Sequence, residues 1–591
     1  MTRARPRRCR WEGSRRSTIG RRDGFALEST MLLLVLFGAL IGVAMASVAV
    51  YTRAAGTEVK AAQVTYAAEG AADQVMAQLD AAMSDGVLSP GDVASLAPPS
   101  MAGFTFVQQT TTAGAPAART ITRGSYAGLY ALEQPMLVRV TADDPLGNRA
   151  AVEVGVSVQA IPIFQFGVFF DRDLEIANGP PLTFAGWVHS NRNIYISSGA
   201  SFYRNQVTAA DSFFWSRKDQ VVTLNGVQIA NNAGILVPVD FDSRSHAGAS
   251  FVARSNLRFD GKLMTKVSGV RPLKLPLPTG MNPVELIRPA TAGDGPEVTA
   301  VRMANKADLR LVINLALPLT NICTEATITR APGRTVLGAS CPSVFQFVRD
   351  AFWDGREMRR PDVLEVDMAA LRTFVNATPA TRQVSVVYVE FRNGDTTVAT
   401  RDYPAVRLRN GSELPLPATA GEAGGVTVAT NAALYVRGDY NTVNWKPAAL
   451  MADVATFLSG SWSDVTSNTF PRPAATIGST VFAGVIAGNS ETPCDARTCG
   501  VQPYGGGLEN FPRFLETWSG TTFRYVGSLV CLFPSTQSQR LWGHTLNGGS
   551  GYYAPPVRDW AFETRFLDPN QLPPGTPRLG SVLQVAFRNV Y

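Results

Sequence analysis

The chain has 591 residues, 45% of them hydrophobic and 17% charged, with 52 Gly and 38 Pro, a composition that excludes a charge-solvated disordered chain and leaves ample material for a core. Its formal net charge of +7 sits in residues 1–24, where nine arginines outweigh Glu12 and Asp23 by seven, so the remainder is about neutral. A nucleic-acid partner would need a basic folded part, and this balance gives no support for one.

In chain order, the basic leader 1–24 is followed by Ser29–Thr52, which carries no charged side chain. The twenty residues Met31–Val50, as a helix rising about 1.5 Å per residue, match a hydrocarbon core of about 30 Å. Arginines on the N-terminal side predict an N-terminus in the cytoplasm, a single crossing of the inner membrane and an exported remainder. A signal peptide cut near Ala44-Met45-Ala46 is the alternative; the length of the apolar run weighs against it. So does its continuation. Val64, Ala68, Ala71, Val75, Leu79 and Ala82 recur three or four residues apart, with Glu69, Asp73 and Asp80 between them, the pattern of an amphipathic helix. One helix is therefore predicted from about Ala26 to Ser84, until Gly86 and Ser89-Pro90-Gly91 end it.

Two motifs in this stretch carry a resemblance. Gly24-Phe25-Ala26-Leu27-Glu28 ahead of an apolar helix resembles the processing site of type IV prepilins, and Tyr66-Ala67-Ala68-Glu69-Gly70 resembles the YAAEAG-like stretch of the PilX family of minor pilins. The resemblance covers roughly the first 85 residues. It implies cleavage after Gly24 by a prepilin peptidase, with methylation, leaving Phe25 as the mature N-terminus. It also implies that Glu28 pairs with the free N-terminus of a neighbouring pilin-like subunit, although Glu28 stands fourth after the cut where pilins place a glutamate fifth. The residues alone offer another reading, a carboxylate in the headgroup region favoured by the helix N-terminus.

Residues 103–158 read as a small antiparallel group with strands at 104–107, 120–122, 137–140 and 152–156. Beyond Pro162, very short apolar segments recur every eight to ten residues with Gly and Asn at the corners: 164–170, Leu174-Glu175-Ile176, Leu182-Thr183-Phe184, Gly186–Asn191 and Ile194-Tyr195-Ile196. A second set lies at 426–428, 434–441 and 480–486. Such spacing favours a solenoid or β-helix, with a β-sandwich as the alternative. The fold class is thus α+β, in four segments: leader 1–24, helix 25–86, small β domain 87–160, and a β-rich ectodomain 161–591 with an insertion at about 200–420. G-x-V-H-S-N at Gly186 and L-Y-V-x-G-D-Y-N at Leu434 resemble large exported bacterial proteins with a PilX-like N-terminus, which implies company with pilus or secretion machinery.

Cys9 lies in the leader, which leaves five cysteines for an oxidising compartment. Disulfides Cys323–Cys341 and Cys494–Cys499 are favoured as local pairings; Cys531 is then odd. Two close cysteines without a second pair or a histidine are a poor zinc site. His189, His246 and His544 are far apart, and His189 reads as a satisfied corner residue. Asp171, Asp173 and Glu175 alternate on one face, which could grip calcium or cleave polysaccharide; with Arg172 beside them they read instead as a solvated, salt-bridged face. No G-x-S-x-G elbow, P-loop or H-E-x-x-H is present. No catalytic residue, metal or cofactor is therefore expected. The leading expectation is a minor pilin-like or pseudopilin-like subunit, not an enzyme, partnered by other pilin-like subunits and a prepilin peptidase. The alternatives are a membrane-anchored adhesin binding a surface glycan and an exported carbohydrate-active enzyme.

Overall fold

The computed structural model describes residues 25–82, 90–97, 99–112, 115–278, 280–330, 335–336, 344–377, 384–394, 402–415, 424–542 and 553–590. Helix α1, Phe25–Ala82, is a single unbroken element of 58 residues, close to the predicted span. Its hydroxyls turn inward: Thr30 Oγ1 donates to the Ala26 carbonyl at 2.8 Å and Thr52 Oγ1 to the Val48 carbonyl at 2.5 Å. Folding these hydroxyls back on the helix leaves them satisfied without water.

Strands β1 (Thr105–Thr112), β2 (Ala117–Thr120), β3 (Tyr130–Asp143) and β4 (Arg149–Pro162) form the predicted antiparallel group, with Val138 opposite Val154 and Val140 opposite Val152. The group gains a strand that its local sequence does not contain. The C-terminal Arg578–Val590 pairs antiparallel with β4, so this head sheet runs β1-β3-β4 and then the last strand of the chain. Strand β4 runs to Pro162, past the expected boundary at residue 160, and the segment expected to run from 161 to 591 contributes Arg578–Val590 to the head sheet.

Between them lie the short strands. In the first run, β5 (Phe166–Phe170), β6 (Leu174–Ile176) and β7 (Leu182–Phe184) make one coil, β8 (Trp187–Ser190), β9 (Ile194–Ile196) and β10 (Ser198–Tyr203) the next, and β11 (Val207–Ala209), β12 (Phe213–Phe214) and β13 (Asn225–Ala230) the third. Each strand pairs in parallel with the third strand after it, β5 with β8 and β8 with β11, and likewise in the other two rows. Strand β14, Leu263–Met264, ends this run against β11. A second run stacks β15 (Leu309–Asn314), β16 (Val386–Arg392), β17 (Val426–Thr430), β18 (Ala448–Ala452), β19 (Ser479–Asn489) and β20 (Thr522–Pro534) in parallel order. Parallel pairing from coil to coil departs from an antiparallel sandwich, although β13 and β15 each also carry an antiparallel neighbour, Leu236–Pro238 and Thr327–Arg330. The two runs meet where Leu529, Val530 and Cys531 of β20 align with Val168, Phe169 and Phe170 of β5, forming one 15-stranded sheet.

Residues 200–420, expected as an insertion, belong in large part to this stack: they contain β11 to β16 as well as Asp362–Asp367 and Pro404–Arg409, which form a second parallel row. What interrupts the stack is a strap, residues 265–308. It crosses the outer face of the sheet and buries Leu273, Leu286, Ile287 and Met303 there, together with Phe166, Phe169 and Trp187. The same apolar cluster includes Ile161, Ile163 and Leu579 of the head, so head and stack share one core. The interior of the coils is a separate cluster, fed by Val168, Leu174, Ile194, Val207 and Phe213. Alternation explains the division: in β15 the burial pattern puts Leu309, Leu311 and Ile313 inside and the residues between them outside. Helices α2 (Ala249–Phe259) and α3 (Met368–Asn376) add Phe251, Phe259, Met368 and Leu371 to that interior. At the corners, Asn410, Asn441 and Asn444 take left-handed φ of 56°, 61° and 49°, which asparagine tolerates better than most residues. Asn441 also fixes its corner by donating to the carbonyls of Lys446 (2.6 Å) and Phe482 (2.9 Å).

Candidate functional site

Helix α1 divides near Val64. From Ala26 to Gln63 it touches almost nothing: Leu34 and Val35 are 71% and 72% exposed, and the helix is long and apolar enough to cross a membrane. From Val64 onward one face is sealed. Val64, Ala68, Ala71, Val75 and Leu79 are buried against Met136, Val138, Val140, Val154, Val156 and Val158 of the head sheet, with Val582 from the C-terminal strand. These are the residues whose spacing predicts an amphipathic face. Four buried alanines there, Ala67, Ala68, Ala71 and Ala72, keep the helix close to the sheet, and a close-packed interface of this kind has no room for larger side chains. The flank is tied down by Gln78, which accepts from Ala97 N at 2.8 Å and donates to Ala97 O at 3.1 Å, and by Gln74, which accepts from Ser100 N.

Phe25 opens the helix and Glu28 lies exposed in its first turn, where the helix dipole favours a carboxylate. Gly24, the expected processing residue, lies outside the described residues. Glu28 and the packed face are thus at opposite ends of one rigid element, about 36 residues or roughly 54 Å apart at the helical rise.

The three acids of the first coil are not a solvated face. Asp171 accepts from Asn191 Nδ2 at 2.5 Å, Asp173 accepts from Asn193 N and Nδ2 at 3.1 Å and pairs with Lys218 at 3.0 Å, and Glu175 is buried. Glu175 accepts from Thr492 N at 3.1 Å and Thr492 Oγ1 at 2.7 Å. Burial pushes its carboxyl up to about 7, against the opposing pull of the Lys218 charge and the two Thr492 hydrogen bonds. Arg172 reaches away from its sequence neighbours to Glu491. Each carboxylate is therefore consumed by a different partner. Among the described residues, no group of three or more His, Cys, Asp or Glu side chains is placed to hold a metal ion.

His189 is fully buried, with Nδ1 2.8 Å from Thr208 Oγ1 and Nε2 2.9 Å from Asn191 Oδ1, and with its ring stacked on Phe169. Because Asn191 Oδ1 is oriented to accept from Leu273 N, the ring donates from Nε2; burial lowers the His189 pKa to about 4 and keeps it neutral. The ring is hydrogen-bonded at both nitrogens, but within strand β8 rather than at the expected corner; its partner Asn191 also pins the strap, since Asn191 Nδ2 donates to Leu273 O at 2.5 Å. His246 packs on Phe241 far from it in the fold's element order, and His544 lies outside the described residues.

Cys494 and Cys499 are joined as expected. Cys323 is disulfide-bonded, and Cys341, its expected partner, lies outside the described residues. Cys531 is free and buried beside the joint between the two runs. Sequence reasoning missed Lys218, 45 residues from Asp173, and Glu491 and Thr492, 319 and 317 residues from Arg172 and Glu175; no local pattern announces them. It also missed the C-terminal strand, for which the alternation around Leu579 and the apolar run Val585-Ala586-Phe587 is the available signal.

No family model matches the sequence, and no curated protein matches it. Among solved structures, the competence-associated pilin ComZ from Thermus thermophilus is similar with a TM-score of 0.27 and 10% identity, over 90% of this chain and 98% of that chain.

Proposed function

We propose that this chain is a pilin-like subunit, minor pilin-like or pseudopilin-like, that enters the inner membrane through α1 with its N-terminus in the cytoplasm and carries the coil stack as an exported head. The observation that carries this reading is the division of α1 at Val64. One half offers bare apolar surface to lipid or to other helices; the other half is fixed in a sheet, so the head is held rigidly above the membrane. The Gly24-Phe25 motif supports processing by a prepilin peptidase, and exposed Glu28 is free to meet the N-terminus of a neighbour. In this reading the protein works by assembly and not by catalysis: the acids of the first coil serve its folding. The type IV pilus and a type II secretion-like pseudopilus are the two assemblies such a subunit would fit.

N-terminal sequencing of the mature protein from membranes tests it. Phe25 is expected as the first residue, with Gly24→Leu blocking the cut; a start near Ser47 or at Met1 sinks the pilin form. Glu28→Leu should leave the head folded and lower co-purification with other pilin-like subunits. Unchanged co-purification would assign α1 to simple anchoring of a surface protein, and polysaccharide cleavage by the full chain would overturn the non-enzymatic reading.

A further inference from the structure

The head sheet is assembled from both ends of the ectodomain. Strand β4 is flanked by β3 on one side and on the other by the C-terminal strand, β21, Arg578–Val590, with Arg578 opposite Pro162 and Val590 opposite Ala151. Val582 of β21 lies in the core beneath α1. Between Pro162 and Arg578 the described residues are mainly those of the stack and the strap.

The approach to β21 is held by the stack at separate points. Thr427 Oγ1 on β17 donates to the Pro574 carbonyl at 2.6 Å, Glu563 N donates to the Gly527 carbonyl on β20 at 3.2 Å, and Gly580 N donates to the Lys274 carbonyl of the strap at 2.9 Å. Ile163 N, at the entry to the stack, donates to Pro577 O at its exit, at 3.0 Å. Phe566 packs on Phe164 with ring centres 5.9 Å apart, and both belong with Leu579 and Met303 to the core that joins head and stack. Gly575 makes the turn before β21 at φ +70°, where an added Cβ would lie 2.8 Å from Met303 Cε. Bringing β21 onto β4 closes a loop of more than 400 residues, an entropic cost that a single strand pairing meets only when the intervening chain is already compact.

We propose that β21 is a folding latch: the head sheet beneath the membrane helix is completed only in a chain whose stack has closed. Until then β4 presents an unpaired edge from Ala151 to Pro162, and the helix face from Val64 to Leu79 lacks the cover that Val582 supplies.

Hydrogen–deuterium exchange on the full-length protein in membranes tests the order of dependence. Gly575→Leu and Arg172→Leu, one in the turn and one at the joint of the stack, should each raise exchange at least tenfold over 578–590 and 151–162 while β8 to β12 remain protected. A chain ending at Pro577 should show the same exposed β4, and a synthetic peptide of residues 578–590 should bind that chain, restore protection to β4 and fail to bind the full-length protein. Unchanged exchange at β4 in the truncated chain, or at β21 in Arg172→Leu, would overturn the latch. Loss of protection throughout the stack on truncation would overturn it too, since the stack would then depend on β21 and not the reverse.

Discussion

Arg172 and Glu491, 319 residues apart, form a two-pronged ion pair across the joint where the first coil rests on the second run, with Nη2 to Oε2 at 2.9 Å. The joint is otherwise narrow. Only three residue pairs align β5 with β20, and Asp171 N adds one hydrogen bond to the Cys531 carbonyl at 2.8 Å. A bidentate guanidinium–carboxylate pair in a half-buried setting is stronger than a surface pair. Arg172→Leu should therefore lower stability by about 1–2 kcal/mol, read as a shift in the chemical-denaturation midpoint. Arg192→Leu, an exposed neighbour with no ion pair among the described residues, should move that midpoint less; equal effects would show that the pair does not hold the joint.

Glu175 gives that joint a pH dependence. Its folded pKa of about 7 lies above the ordinary carboxyl value, so the folded state binds a proton more readily than the unfolded chain. Stability from this group is present at low pH and falls as pH rises from about 4.5 to about 7, by roughly 3 kcal/mol if the group acts alone. Above 7 the loss is complete and constant. Lys218, Asp219 and Thr492 are the groups that act on it, and Glu509, also raised by burial, contributes with the same sign. The measurement is therefore a difference: wild type minus Glu175→Gln, followed by thermal unfolding between pH 4.5 and 8. The wild type should lose its advantage across that window, and a flat difference would remove Glu175 from the account.

Much of this architecture is readable locally. The spacing of Val64, Ala68, Ala71, Val75 and Leu79 gives both the helix and the face it buries, because helix packing is written in residues three and four apart. Short strands with Asn and Gly corners are equally local, and so is Cys494 beside Cys499. Adjacency across long separations is not. Nothing near Arg578 names β4 as its partner, and nothing near Arg172 names Glu491. Alternation along one strand does not describe Asp171, Asp173 and Glu175: the first two lie in the bend between Phe166–Phe170 and Leu174–Ile176, and only Glu175 is on a strand. In a three-residue strand such as Leu174-Glu175-Ile176 every residue is buried, because segment 490–510 covers the coil from outside and turns an outward carboxylate into a buried one.

The cysteines separate into two chemical classes. Cys494 and Cys499 should appear as a linked peptide in unreduced digests of the protein, a bridge worth about 2 kcal/mol for so short a loop on the chain-entropy estimate. Cys531 should resist alkylation in the native state, since its thiol is buried and burial raises its pKa far above the working range, and should react only on unfolding. Rapid native labelling of Cys531 would mean that the joint beside it opens on its own.

The division of α1 predicts that two substitutions on one helix act on different properties. Ala71 is fully buried between helix and sheet, so Ala71→Leu forces extra carbon atoms into a filled interface and should destabilise the head by about 1–3 kcal/mol. Leu34 stands 71% exposed on the bare half, and Leu34→Ala removes apolar surface that is not packed against the head. Head unfolding in detergent should be unchanged by Leu34→Ala and lowered by Ala71→Leu, while membrane retention should follow the opposite order once Leu34→Ala is combined with Leu32→Ala and Leu36→Ala. The helix dipole and backbone are the same in both cases, so a difference between them isolates side-chain surroundings. If Ala71→Leu left head stability untouched, the distal half of α1 would not be packed on the sheet in solution, and a rigid link between membrane anchor and head would no longer explain why one helix runs unbroken through both.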